Sequence, residues 1–238
     1  MKLTVLGEYG PFAPAGGACS SYLLQGKSGG NLILDLGNGA LAQLQKHIPL
    51  AQIDAIVLTH LHFDHISDVQ ILGYALAQLQ ARREYERKIR LYLPKTPERV
   101  AGLFALPLFD ICYLSDDLEV GEAGMRLVFA SMMHPVEAYA VLAEEEGKCL
   151  LYSGDTAQNK TVAELAEMAD FALLDAALLE AEVGPGASHM SVKEACEIGR
   201  FAGKLALTHH SPFHTREQIC QEAAEEAVLA QSGMHFEI

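Results

Sequence analysis

The stretch Thr59-His60-Leu61-His62-Phe63-Asp64-His65 limits what this chain can fold into more than any other segment. Three imidazoles and one carboxylate fall within six residues. An apolar run, Ile53–Leu58, leads into them, and Ile66, Val69, Leu72, Leu76 and Leu79 follow at helical spacing. The histidines therefore occupy a strand-to-helix turn. In an extended segment His60 and His62 point the same way, while Asp64 and His65 turn away. Four such side chains cannot easily all serve one tetrahedral ion. The arrangement suits two ions side by side, and neutral imidazole with carboxylate suits zinc, manganese or iron. A surface turn that merely happens to be His-rich would not need a strand of buried type in front of it.

The fold has to supply a core around that turn. With 238 residues, half of them apolar, the chain is long enough for one large α/β domain or two small ones. The formal net charge of −14 predicts repulsion from nucleic acid, so an extended nucleic-acid partner is not expected. Basic residues cluster once, at Arg82, Arg83, Arg87, Lys88 and Arg90, but Glu84 and Glu86 are interleaved, which reads as a solvated helix end. The five cysteines are scattered with no Cys-x-x-Cys pair, which argues against a disulfide framework and against a structural cysteine zinc site. Met1–Glu8 is too short for a signal peptide and no apolar stretch is long enough to span a bilayer, so the expected compartment is the cytoplasm, with no membrane partner.

Strand-like pieces are expected at Leu3–Leu6, Ser21–Gln25, Leu32–Asp35, Ile53–Leu58 and Ile89–Leu93. A loop is expected over 10–17, a short helix over Ala40–His47 and a long helix after the His turn. The second half repeats the plan. It has strands at Met125–Ser131, Ala138–Leu142, Lys148–Tyr152, Phe171–Leu174 and Lys204–Leu207, and helices near Val162–Met168 and Val192–Phe201. A final helix is capped by Thr215-Arg-Glu-Gln218. Leu58-Thr-His60 is echoed by Leu207-Thr-His209. Two sheets face to face with helices outside would bury such strands on both faces and bring their ends together at one edge.

Further ligand candidates fall at element ends. His134 precedes Pro135, Asp155 follows Gly154 in a tight turn, and His209 ends a strand. Each alone has an ordinary alternative as a cap or core residue; together they repeat one placement. His-x-His-x-Asp-His, an isolated His, Ser-Gly-Asp-Thr and Leu-Thr-His resemble the metallo-β-lactamase-fold hydrolases, and the likeness runs from Gly7 to the last helix. It implies a single 1–238 domain, α/β in class, built as a four-layer αβ/βα sandwich of two similar halves. It also implies two divalent ions, zinc first and manganese second. His60, His62 and His134 would hold one ion and Asp64, His65 and His209 the other, with Asp155 bridging. Asp35 would stand behind the ligands and orient their imidazoles. Family likeness selects His209 over its neighbour His210.

Ser153-Gly-Asp-Thr156, Ser188-His-Met-Ser191 and Leu207-Thr-His-His-Ser211 are similar to the ribonuclease Z and phosphodiesterase branch. In that branch a histidine matching His189 acts near the scissile phosphate, oriented by an acid; here the acid is Asp175 where the branch has Glu. Ribonuclease Z carries a tRNA-gripping arm between its third-motif histidine and the bridging aspartate. Only twenty residues separate His134 from Asp155, room for two strands and the acidic turn Glu144–Lys148. The resemblance therefore implies a phosphodiesterase of small or nucleotide phosphodiesters. A metal-bridging hydroxide would attack phosphorus, Asp64 would take the nucleophile's proton, and His189 as imidazolium would stabilise the transition state or protonate the leaving group. The alternatives are a lactonase or thioesterase-like hydrolase on the same metals, a tRNA endonuclease of the ribonuclease Z kind, and a metal-bearing binding protein without catalysis. A homodimer is one assembly the sequence allows. His47, His214 and His235 are read as surface or packing residues, and Tyr22, Tyr74, Tyr139, Met132 and Met133 as core.

Overall fold

The computed structural model describes residues 1–225 and 227–238. Thirteen strands appear in chain order before the last one: β1 (Lys2–Gly7), β2 (Ser21–Gln25), β3 (Asn31–Leu36), β4 (Ala55–Val57), β5 (Ile89–Leu93), β6 (Phe109–Tyr113), β7 (Glu119–Glu122), β8 (Met125–Ser131), β9 (Tyr139–Glu145), β10 (Lys148–Tyr152), β11 (Phe171–Asp175), β12 (Leu205–Thr208) and β13 (Ala227–Leu229). The last strand, β14 (His235–Glu237), returns to pair with β1. The helices are α1 (Ala40–Leu44), α2 (Phe63–Ala81), α3 (Glu98–Ala101), α4 (Lys160–Met168), α5 (Val192–Gly199) and α6 (Arg216–Glu222). One seven-stranded sheet has the order β14-β1-β2-β3-β4-β5-β6, and the other β13-β12-β11-β10-β9-β8-β7.

Period-two alternation on the central strands builds three apolar layers, and these fix the architecture. Leu32 and Leu34 of β3 and Ala55 and Val57 of β4 face Leu150, Phe171 and Leu173 across the gap between the sheets. Ile33 and Ile56, on the opposite faces of the same strands, pack under Leu41 of α1 and Val69, Leu72 and Leu76 of α2. Ala172, Leu174 and Leu207 do the same under Val162 of α4 and Ala195 and Ile198 of α5. The result is a helix–sheet–sheet–helix sandwich, as expected. Each fully buried Leu or Ile contributes about 1.5–3 kcal/mol, so strands apolar on both faces are driven to the middle.

Both sheets run an antiparallel meander into three parallel pairings, β3–β4–β5–β6 and β10–β11–β12–β13. That repeat aligns β4 with β11 and β5 with β12. The Leu-Thr-His echo instead joins β4 to β12, so it does not mark equivalent strands. Four strands were not foreseen: β6, β7, β13 and β14. Tyr74 and Met133, expected in the core, are exposed, whereas Tyr22, Tyr139 and Met132 are buried. Tyr74 lies on the outward face of α2, so its apolar ring reflects the helix surface. The basic cluster lies beyond the end of α2. Its Arg87 ties Asp54 and the Ala51 and Ile53 carbonyls to the loop. Among the described residues no helix is long and apolar enough to cross a membrane.

Candidate metal centre

The C-terminal ends of β3, β4, β10, β11 and β12 open on one edge of the sandwich, where ligands of open α/β sheets collect. Asp35 sits near the end of β3 in left-handed geometry, φ 54°. It accepts four hydrogen bonds: from the Thr59 amide (2.7 Å), the Thr59 hydroxyl (2.8 Å), the Tyr152 hydroxyl (2.7 Å) and His65 Nδ1 (2.7 Å). One buried carboxylate thus welds both sheets to the His turn. Thr59, in the bend after β4, and Tyr152, at the end of β10, share in this orientation of His65, and no spacing in the sequence assigns either of them that role.

The turn itself is shorter than expected. α2 starts at Phe63 with His62 in the cap position, so Asp64 and His65 lie in its first turn. His134 hangs from a loop pinned by the Met132 amide on the Ala138 carbonyl and the Ala157 amide on the Met133 carbonyl. Gly154, at φ 57°, makes the turn that presents Asp155.

The donor atoms converge. Those of His60, His62, His134 and Asp155 lie within 4.8 Å of one another, and so do those of Asp64, His65 and His209. His60 Nε2 is 3.0 Å and His134 Nε2 3.1 Å from His62 Nδ1. Asp155 spans the groups: its Oδ2 is 3.5 Å from His60 Nε2 and 3.1 Å from His209 Nε2, and its Oδ1 is 3.2 Å from His65 Nε2. Ligand nitrogens about 2.05 Å from a tetrahedral zinc stand about 3.3 Å apart, so these spacings fit. The tautomers fit as well. His65 Nδ1 donates to Asp35, and His134 Nδ1 donates to the Ser188 carbonyl at 3.0 Å, which turns both Nε2 atoms inward to the cluster. His65 Nε2 and Asp155 Oδ1 are buried with only each other to face, 3.2 Å apart, and a cation would satisfy both lone pairs. The residues present therefore suit divalent cations.

Charges follow from burial and neighbours. Burial pushes His60 and His209 well below the ordinary imidazole range, with the other histidines adding to it, and takes His134 down to about 4. Neutral rings of this kind are what a metal requires. Burial acts against protonated His65 too, but Asp155 and Asp35 outweigh it and hold that ring well above its usual value. Burial raises Asp155 to about 6, opposed by His65.

His189 belongs to the same cavity, a space of about 400 Å³ that Asp64, Asp155, His209, Phe63, Pro11, Ala177 and Leu178 also line. Its Nδ1 donates to Asp175 Oδ2 at 2.9 Å, so the shorter acid reaches the ring. The backbone amides of Thr156 and Ala177 hold that carboxylate in place. Burial works against protonated His189, yet the Asp175 ion pair raises it to about 9. Helix α5 begins after His189, and Ser191 caps it, so capping does not account for His189. His210 takes no part in the donor groups. It faces a separate cavity of about 160 Å³ with Glu8, Tyr9 and Arg216. His47 and His235 are exposed, and His214 pairs with Glu182 at 2.9 Å.

Comparison with known proteins gives the same frame. The metallo-beta-lactamase superfamily model matches residues 14–202. The probable metallo-hydrolase YhfI of Bacillus subtilis is 29% identical over the whole of both chains, and its crystal structure superposes with a TM-score of 0.92 over 99% of this chain and 98% of that one. The uncharacterized protein Rv1339 of Mycobacterium tuberculosis is 30% identical over 95% of this chain and 86% of its own. Ribonuclease Z of Archaeoglobus fulgidus is 24% identical over all of this chain and 97% of its own. This chain belongs to the metallo-beta-lactamase superfamily of metal-dependent hydrolases.

Proposed function

We propose that the protein is a phosphodiesterase of small or nucleotide phosphodiesters that works with two divalent ions, zinc first and manganese second. His60, His62 and His134 would hold one ion, Asp64, His65 and His209 the other, and Asp155 would reach both. Bound there, two such ions would lower the pKa of a shared water towards 7 and neutralise charge on the phosphoryl oxygens.

The observation that carries the reading is the His189–Asp175 pair. Asp175 engages Nδ1, so Nε2 is the atom left to meet a substrate in the cavity. A charged imidazole fixed beside a metal cluster faces an anion, and it can give its proton to a departing alkoxide. Asp64 lines the same cavity and offers a carboxylate oxygen for the proton of the attacking water. The ribonuclease among the relatives acts, by its name, on RNA, whose backbone is a phosphodiester. The tRNA reading is weaker here. The β9–β10 hairpin closes in a tight Glu146-Gly147 turn, with φ 51° and 76°, where an arm would stand, and the net charge is −14.

The test sets metal-replete protein against three substrates: a p-nitrophenyl phosphodiester, a lactone and a glutathione thioester. Turnover of the diester is expected. His189→Ala is expected to lower kcat about 10²–10⁴-fold with metal content unchanged, least where the leaving group is p-nitrophenolate. Turnover of the lactone or thioester in place of the diester would overturn the assignment.

A further inference from the structure

We infer that Phe12, Phe63 and Phe213 form an aromatic subsite at the mouth of the metal cavity, and that the substrate is a diester with a single phosphate carrying a planar ring. The inference rests on the phosphodiester reading and narrows it.

The fold leaves four phenylalanines open to solvent among the described residues; one of them, Phe63, lines this cavity, and two more, Phe12 and Phe213, lie within two residues of its lining. Phe63, 66% exposed, lines the cavity itself. Phe12 and Phe213, 48% and 77% exposed, follow the lining residues Pro11 and Ser211. Their rings meet edge to face, with centroids 5.4 Å apart and planes at 78°. Such a pair steadies both rings while leaving a π-face open. The Phe213 turn is held in advance, since its amide donates to Ser211 Oγ at 3.3 Å and the His214 amide to the Ser211 carbonyl at 3.1 Å. The inner walls continue apolar through Pro11, Ala177 and Leu178.

Charge completes the argument. Among the described residues no lysine or arginine lines the cavity, while Asp64 and Asp155 do. Counter-charge for a substrate would therefore come from the ions that the donor groups would hold, with His189 Nε2 on the cavity wall beside them. Such ions would neutralise one phosphate at the bottom of the cavity. A chain of phosphates running outwards would meet phenylalanine and carboxylate with no counter-charge. A planar apolar ring running outwards would find the exposed Phe63 ring on the cavity wall and the Phe12–Phe213 pair on the segments next to it, and stacking on such rings accepts any base.

Calorimetric binding of two probes to metal-replete protein tests this: thymidine 5′-monophosphate and 2-deoxyribose 5-phosphate, which differ by the base alone. The wild type is expected to prefer the nucleotide by about 5- to 150-fold, the range that stacking of one base supplies. Phe213→Ala and Phe12→Ala are expected to collapse that ratio while the sugar phosphate binds as before, and Phe213→Tyr to keep it. Equal binding of the two probes by the wild type, or a ratio unchanged in both alanine variants, would overturn the subsite. A Phe213→Ala protein that altered only its oligomeric state, with the ratio intact, would overturn it in favour of a subunit contact. A nucleotide preference in a protein that turned over no diester would leave the subsite standing and reject the phosphodiesterase reading instead.

Discussion

At Gly10 the backbone passes the metal centre so closely that no side chain fits. An added Cβ would lie 1.8 Å from Cε1 of His209. His209 itself sits at φ 59°, a left-handed geometry that non-glycine residues hold only when their surroundings impose it. Gly10→Ala is expected to push the His209 ring aside and to lose the ion of the Asp64–His65–His209 group while keeping the other. Elemental analysis showing both ions retained would refute this. Glu8, two residues earlier, belongs to the fold instead. Burial raises its carboxyl above the usual 4.5, against the hydrogen bonds from Ser232. The native state therefore keeps a proton that the unfolded chain gives up, so stability falls as pH rises through the folded pKa and returns as pH drops back. Glu8→Gln keeps an oxygen for the Ser232 donors and does not ionise. Relative to wild type it is expected to gain stability as pH rises from about 4.5 towards 7. Denaturant unfolding across that range checks this, and a difference independent of pH would reject it.

At the level of elements, helix N-termini position much of the site, and side chains close them. Ser191 Oγ accepts from the Glu194 amide at 3.1 Å, and Glu194 Oε2 accepts from the Ser191 amide at 2.9 Å. The same hydroxyl donates to Glu180 Oε2 at 2.9 Å, tying α5 to the loop that carries His189. Thr215 and Gln218 close α6 in the same way, as the sequence alone indicates. Ser191→Ala is expected to cost about 0.5–2 kcal/mol. In a chain of this size each kcal/mol shifts Tm by about 2–4 °C. An unchanged thermal melt would show that the cap contributes nothing.

For the whole molecule, the donors come from both sheets and from loops more than seventy residues apart, such as His62 and His134. Ions bound there would cross-link the sandwich along its open edge. Two ions per chain are expected on elemental analysis of metal-reconstituted protein, and one ion or none would remove the dinuclear proposal. Because binding to the folded state alone stabilises it, a chelator is expected to lower Tm. At a free metal concentration of 100 Kd one site adds about 2.7 kcal/mol.

The four unforeseen strands are the four edges of the two sheets: β6 and β14 on one, β7 and β13 on the other. Edge strands are short and half-wet, and two of these have three residues each. Burial on both faces stamps apolar runs such as Ile53–Leu58 and Phe171–Leu174 onto the sequence, so the central strands and the layer order were legible there. Donor chemistry was legible too, because His60, His62, Asp64 and His65 lie on one turn and need no tertiary contact to be noticed. What lies between distant loops was not. The grip of Thr59 and Tyr152 on Asp35 and the meeting of Phe12 with Phe213 have no periodicity, and Asp175 was matched to His189 by the branch resemblance and not by any spacing in the sequence. They depend on which loop ends the packed sheets bring within a few ångströms, and that distance exists only once the core has closed.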